Sequence, residues 1–237
     1  VRQPSWAALR DKLLAGDLDA AHALYGLVYG VQLGLGGPQT EMAVLMVLNR
    51  NGQAITLSRR LADALAVHGT LPAALATLER KPVFAHTFPT GTHAMWLYYW
   101  LAAQRVHPLR DIECVGEPWN AVAQARGVGT TVAYTSEIWP DHPEKVLASR
   151  RDFVSRFPHT AQALVQTMLE ACRWLDDDTH RAELARRLAQ PEFLGAPAEL
   201  IAPRLAREPA EAPRLPVRFF EGGSVNYPRP ADGVWFF

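Results

Sequence analysis

The stretch VFAHTFPTGTHAMWLYYWLAAQ, Val83–Gln104, decides how this chain is organised. Val83 to Phe88 reads as a short β-type run that Pro89 stops, and Thr90-Gly91-Thr92 makes a tight polar loop. An apolar helix follows, in which Trp96, Tyr99, Trp100 and Ala103 recur at three- and four-residue spacing. Thr92 is the expected N-cap, which puts His93 in the first turn. A strand, a Gly-containing loop and a helix N-terminus leave free backbone N–H groups and a positive dipole end aimed at one spot. Such a spot binds anions. The plainer alternative is that Thr92 only caps the helix and His93 sits in solvent.

Upstream, Ser5 caps a short helix whose Leu9 and Leu13 face inward, and Gly16 ends it. Leu18 to Leu24 reads as a short buried strand. Tyr25 to Gly37 carries glycines at 26, 30, 34, 36 and 37. No Gly-Lys-Ser/Thr follows them, so this is no phosphate loop, and close backbone packing or a buried hinge is the plainer reading. The nearly continuous apolar run Glu41–Leu48 predicts a central strand covered on both faces. Asn49 to Gly52 is a turn by composition, Gln53–Leu57 is extended, Ser58 caps a helix over 59–68, and a second helix spans Leu71–Arg80.

Downstream, a short strand around Ile112–Val115 leads into Gly116-Glu117-Pro118-Trp119-Asn120 and a helix to about Ala125. Thr130–Thr135 has strand character, Ser136–Pro143 reads as loop, Glu144–Arg156 as helix, and Thr160–Leu175 as a helix with an apolar face. Asp176-Asp177-Asp178 reads as a solvated helix end. Short helices over 191–218 decorate a surface, and the aromatic tail reads as a strap packed on the body. Strands alternating with helices predict an α/β sandwich.

Bulk properties narrow the function. The 237 residues suffice for one domain or two lobes, and 49% hydrophobic with 20% charged residues is an ordinary globular balance. Lys+Arg 24 against Asp+Glu 24, mixed along the chain, gives no basic stripe, so direct nucleic-acid binding is not expected. Cys114 and Cys172 stand far apart without His or Cys companions, which argues for apolar thiols and against a zinc site. No Gly-x-Ser-x-Gly elbow and no His-Glu-x-x-His helix occurs, so no catalytic residue, no metal site and no cofactor is expected, and the chain is not read as an enzyme. What it offers is a scattered set of donors beside turns: Trp6, Gln53, His93 and Lys145. A helix-entry anchor (Trp6) and an exposed lysine (Lys145) are the plain alternatives.

Four segments carry a resemblance: SWAALRDKL…GDLDAAH, AVLMVLNRNGQAITLS, HTFPTGTH…YWLAA, and CVGEPWNAVAQARGVGTTVAYTSEIWPDHPEKVLASRRDFVSRFP. Together they resemble the nitrate- and bicarbonate-binding proteins of ABC uptake systems and their regulatory relatives, over Ser5 to about Asp176. The resemblance implies a two-lobed periplasmic-binding-protein fold (type II) closing on a small anion. It implies lobe 1 from residues 1–57, lobe 2 mainly from 58–135, a return to lobe 1 and hinge over 136–190, and C-terminal helices with an aromatic strap over 191–237. It further implies that the Trp6 indole, Gln53 amide, His93 imidazole and Lys145 ammonium hold the anion, with Gly91, Glu117 and Pro118 lining the cleft.

That set suits nitrate, a planar monoanion with three acceptor oxygens and no donor. Lys145 supplies a positive charge to a desolvated site. Bicarbonate-binding relatives carry an acidic residue and a metal at the lysine position, so Lys145 favours nitrate or nitrite. Relatives also carry a strand–helix unit ahead of Trp6 and an extra stretch between Ile112 and Glu113, so an N-terminal edge and one internal loop are expected to be lacking here. LYGLVYGVQLGLGGPQTEMAVLMVLN looks closer to cytoplasmic nitrate/nitrite sensors that hold an RNA-binding antiterminator inactive than to transporter lipoproteins. The expected role is therefore a cytoplasmic sensor. The alternative is a periplasmic or membrane-anchored solute-binding component that docks on a membrane permease. A bicarbonate-binding member, or an enzyme of this fold built on a nucleophilic cysteine, ranks lower.

Overall fold

The computed structural model describes residues 1–116, 123, 126–208 and 215–234. Helix α1 (Trp6–Ala15) starts where the Ser5 hydroxyl accepts from the Ala8 N–H and ends at Gly16, whose φ of 86° is left-handed. Strand β1 (Ala20–Leu24) runs directly into α2 (Tyr25–Gln32), so the glycine-rich segment is helical at its start. The close packing expected of it is present. A Cβ at Gly30 would meet Thr90 Oγ1 at 2.6 Å, and one at Gly26 the Thr90 carbonyl oxygen at the same 2.6 Å.

Strand β2 is Met42–Arg50, β3 is Ala54–Ser58, and β7, Pro143–Arg150, lies between β1 and β2 in an antiparallel sheet. The apolar run predicts β2 at the centre, and the sequence predicts helix over Glu144–Arg156. Both are corrected. The centre is β7, and the helical part of that segment, α7, is only Arg151–Arg156. Glu, Lys, Ser and Arg are weak strand formers, so local propensity misleads here. Burial decides instead: Val146 and Ala148 pack into one core with α1 and α2, and Leu147 into another with α8 (Pro158–Trp174). Strand β2 is covered on both faces as expected, with Val47 in the first core and Met46 and Leu48 in the second. Its outer edge is met by the tail, where the Val47 N–H donates to the Asn226 carbonyl and Arg50 pairs with Arg218.

A further core gathers Ile55 and Leu57 of β3 with α3 (Arg59–His68), β4 (Val83–His86) and α5 (Thr92–Ala103). Strand β3 pairs antiparallel with β6 (Gly129–Tyr134), and β4 pairs parallel with β5 (Glu113–Gly116). Ser58 caps α3 as predicted. The next helix, α4, is Leu71–Leu75 and stops short of Arg80, because Thr77 turns its hydroxyl onto the Ala74 carbonyl at 2.7 Å. Helix α6 (Thr135–Ile138) occupies part of the segment read as loop. Asp177 caps α9 (Asp178–Leu188), and α10 (Ala198–Leu205) packs on it.

The tail is strapped to the body by a buried ion pair. Arg50 donates to both oxygens of Asp232, at 3.2 and 2.7 Å, and to the Val225 carbonyl. Asp232 lies in a short final helix, α11 (Pro230–Val234). Among the described residues no helix is long and apolar enough to cross a membrane.

Candidate functional site

The turn after β2 is built to deliver Gln53. Asn51 (φ 61°) and Gly52 (φ 102°) are both left-handed, and the Asn51 amide holds that geometry by donating to Asp141 and to the Pro216 carbonyl. The Gln53 carbonyl accepts from the Thr135 N–H at 3.1 Å and hydroxyl at 3.2 Å, at the start of α6. Thr135 in turn meets His142 Nε2 at 2.7 Å, and the His142 ring lies 4.6 Å from that of the buried Trp96 of α5. Burial keeps His142 below the ordinary imidazole range.

Gly91 is the residue that caps α5, and Thr92 is the first helical residue, which corrects the expected Thr92 cap. The reason is that the Thr92 hydroxyl is committed elsewhere. It donates to Oε2 of Glu144 at 2.7 Å, and the side-chain amide of Gln53 reaches its oxygen at 3.4 Å. His93 sits in the first turn, as expected, with Nδ1 3.9 Å from Oε1 of Glu144.

Glu144 is therefore the hub of the site, and the sequence reading missed it. It is 2% exposed, and its carboxylate also receives the Lys145 ammonium. Burial works to raise its pKa, but Lys145, His93 and the two hydrogen bonds together win and hold it at about 2, so it is ionised. Lys145 Nζ lies 6.0 Å from the centre of the Trp6 ring, a cation–π approach, and Trp6 meets His22 edge-on at 5.8 Å. Burial, helped by Lys145, lowers His22 to about 4, and burial likewise lowers His93 to about 4 against the pull of Glu144.

Lys145 and His93, predicted as separate donors, thus meet at one carboxylate, Gln53 reaches it through the Thr92 hydroxyl, and Trp6 lies beside Lys145. Gly91 is buried against Leu24, where a Cβ would come within 2.8 Å of the leucine Cδ1. Glu117 and Pro118, together with the helix expected after them, lie outside the described residues. Strand alternation was the signal that could have found Glu144: in β7 it shares the face of buried Val146 and Ala148. A cavity of about 1100 Å³ opens between β3 and β4, and its walls include Gln53 and His93 but neither Trp6 nor Lys145. A small anion needs only about the room of one or two waters, roughly 30 Å³ each.

The mixed α/β fold is shared with solved periplasmic solute-binding proteins. The chain belongs to the NMT1-like family, whose model matches residues 1–115 and 111–189. It is similar to the periplasmic nitrate-binding protein NrtA of Synechocystis, with a TM-score of 0.86 at 30% identity, covering 100% of this chain and 70% of that one. In sequence it is 35% identical to the nitrate/nitrite binding protein NrtA of Synechocystis sp., over 100% of this chain and 61% of the relative. It is also 35% identical to the nitrate import ATP-binding protein NrtC of that organism, over 99% of this chain. The chain spans 40% of that ATP-binding relative's length. The aliphatic sulphonate binding protein SsuA of Escherichia coli, at 14% identity and a TM-score of 0.67, shares the fold.

Proposed function

We propose that the chain binds nitrate, or nitrite, between its lobes as the solute-binding component of an ABC importer. The observation that supports this is the gathering of donors from four separate elements at one point: Gln53 after β2, Thr92 and His93 on α5, Lys145 on β7, and Trp6 on α1 beside it. An ion that only accepts hydrogen bonds is matched by groups that can all donate. The relatives named in nitrate import favour the importer over the cytoplasmic sensor expected from the sequence. On this reading the partners are a membrane permease and its ATP-binding subunit, and the location is outside the cytoplasmic membrane.

A second reading, bicarbonate, draws on Glu144, whose carboxylate could accept from a bicarbonate hydroxyl, and on the bicarbonate transport ATP-binding protein CmpC of Synechococcus elongatus, which is 32% identical. A thermal-shift panel at fixed ionic strength separates them, using nitrate, nitrite, bicarbonate with and without calcium, sulfate and chloride. A ligand at about 100 times its dissociation constant adds roughly 2.7 kcal/mol and raises the melting temperature by several degrees. A rise with nitrate or nitrite alone supports the first reading. A rise with bicarbonate alone overturns it, and so does no rise with any anion.

A further inference from the structure

His93 has one buried nitrogen, and one acceptor faces it. Nδ1 is buried without a hydrogen-bond partner, and Glu144 Oε1 stands 3.9 Å away. That carboxylate is pinned by the Thr92 hydroxyl and the Lys145 ammonium. A lone pair on Nδ1 would oppose it, whereas an N–H would point a donor at it. The carboxylate charge therefore favours the neutral tautomer with its proton on Nδ1, which leaves Nε2 an acceptor. Nitrate offers only acceptors, so a nitrate meeting Nε2 needs an N–H there too. Only the imidazolium has a proton on both nitrogens.

Charge leads to the same point independently. Lys145 is already neutralised by Glu144, so a desolvated monoanion entering this cluster would lack a counter-charge. One added proton supplies it.

We propose that Glu144 is a positioning residue that holds His93 in the Nδ1–H form, so that anion binding here takes up one proton from solvent onto His93 Nε2. The proposal rests on the nitrate reading above. The other titratable groups facing His93 are Lys145, His142 and His86, and burial keeps both histidines below their ordinary range. His93 itself is held to about 4 without ligand, chiefly by burial, so near pH 5 the proton is largely absent until the anion arrives. An opposite charge in contact raises an imidazole pKa by about 1–3. The coupling is therefore strongest near pH 5.

Two measurements on the full chain test this. Nitrogen NMR of the imidazoles in the ligand-free protein should find His93 as the Nδ1–H tautomer, shifting toward Nε2–H in Glu144→Gln. Calorimetry of nitrate binding near pH 5, in two buffers of different ionisation enthalpy, should find more than half a proton taken up per nitrate. Affinity should fall toward tenfold per pH unit as pH rises. His93→Gln keeps a donor but cannot take up the counter-charge, so it should bind nitrate more weakly and with no proton uptake, and this variant serves if Glu144→Gln does not fold. An Nε2–H tautomer in the wild type overturns the proposal, as does nitrate binding with no proton uptake and a flat pH profile. A protein that binds nitrate at no pH overturns the functional reading instead, and the tautomer then decides the role of Glu144 alone.

Discussion

The hydroxyl of Thr92 donates to Oε2 of Glu144 at 2.7 Å, joining the first turn of α5 to the start of β7. Helix α5 belongs to the core built on β3 and β4, while β7 belongs to the cores around the three-stranded sheet. This bond therefore links the core on β3 and β4 to the cores of the three-stranded sheet, where Lys145 and His93 also meet Glu144.

The Lys145–Glu144 pair sets up a double-mutant cycle. Lys145→Gln strands a buried carboxylate and should destabilise the chain by about 3 kcal/mol, the low end for a broken buried pair because the lysine is partly open to solvent. Adding Glu144→Gln should recover a large part of that loss. Urea unfolding of the four proteins measures the coupling, and additive effects would mean that the pair contributes nothing to the fold. Nitrate binding, by contrast, should be weakened in both Lys145 variants, because each lacks the ammonium donor.

Gln53 and His93 should behave differently from Lys145. Each is one donor among several, so Gln53→Ala and His93→Ala should each weaken nitrate binding by about 1–3 kcal/mol, leaving it measurable by calorimetry. Gln53→Ala at wild-type affinity would place the anion away from the turn after β2.

The two glycines of α2 make a contrasting pair. Gly26→Ala drives a methyl group into the Thr90 carbonyl, whereas Gly30→Ala drives one into the Thr90 side chain. Both should destabilise, by about 1–3 kcal/mol, through overpacking. Thr90→Gly should rescue Gly30→Ala and leave Gly26→Ala uncorrected, as thermal unfolding of the two double variants would reveal.

Acid should destabilise the fold in two stages. His22 and His93 are lowered to about 4, so between the ordinary imidazole value near 6.5 and pH 4 the unfolded chain binds the extra protons and stability falls with pH. Glu144, held at about 2, extends the loss from its ordinary value near 4.5 downward. Each group contributes at most about 1.4 kcal/mol per pH unit inside its window. Urea midpoints at pH 7, 6 and 5 should fall in order, and less steeply in His22→Gln. A midpoint unchanged from pH 7 to 5 would contradict the burial of both rings.

Much of this was readable from the residues. Ser5 and Ser58 announced their helices because capping is a local hydrogen bond, and Asn51-Gly52 announced a turn because few other residues take left-handed backbone. Strand β7 was not readable. What makes Pro143–Arg150 a strand is its burial between cores supplied by α1, α2 and α8, and none of that is written in EKVLASR itself. Missing the strand hid Glu144, because only strand alternation turns that residue inward. Thr92 was misread for a related reason: its hydroxyl serves a residue 52 positions away instead of its own helix.

The tail strap has a consequence for how the chain is made. Strand β2 is finished early in synthesis, but its outer edge is met by residues near 218 and 226, and the Arg50 guanidinium is paired with Asp232. Until those residues leave the ribosome, a nascent chain carries an open strand edge and an unpaired cation destined for burial. Open edges of this kind recruit other strands. The emergence of residues 218 to 232 is thus what covers that edge and pairs that cation.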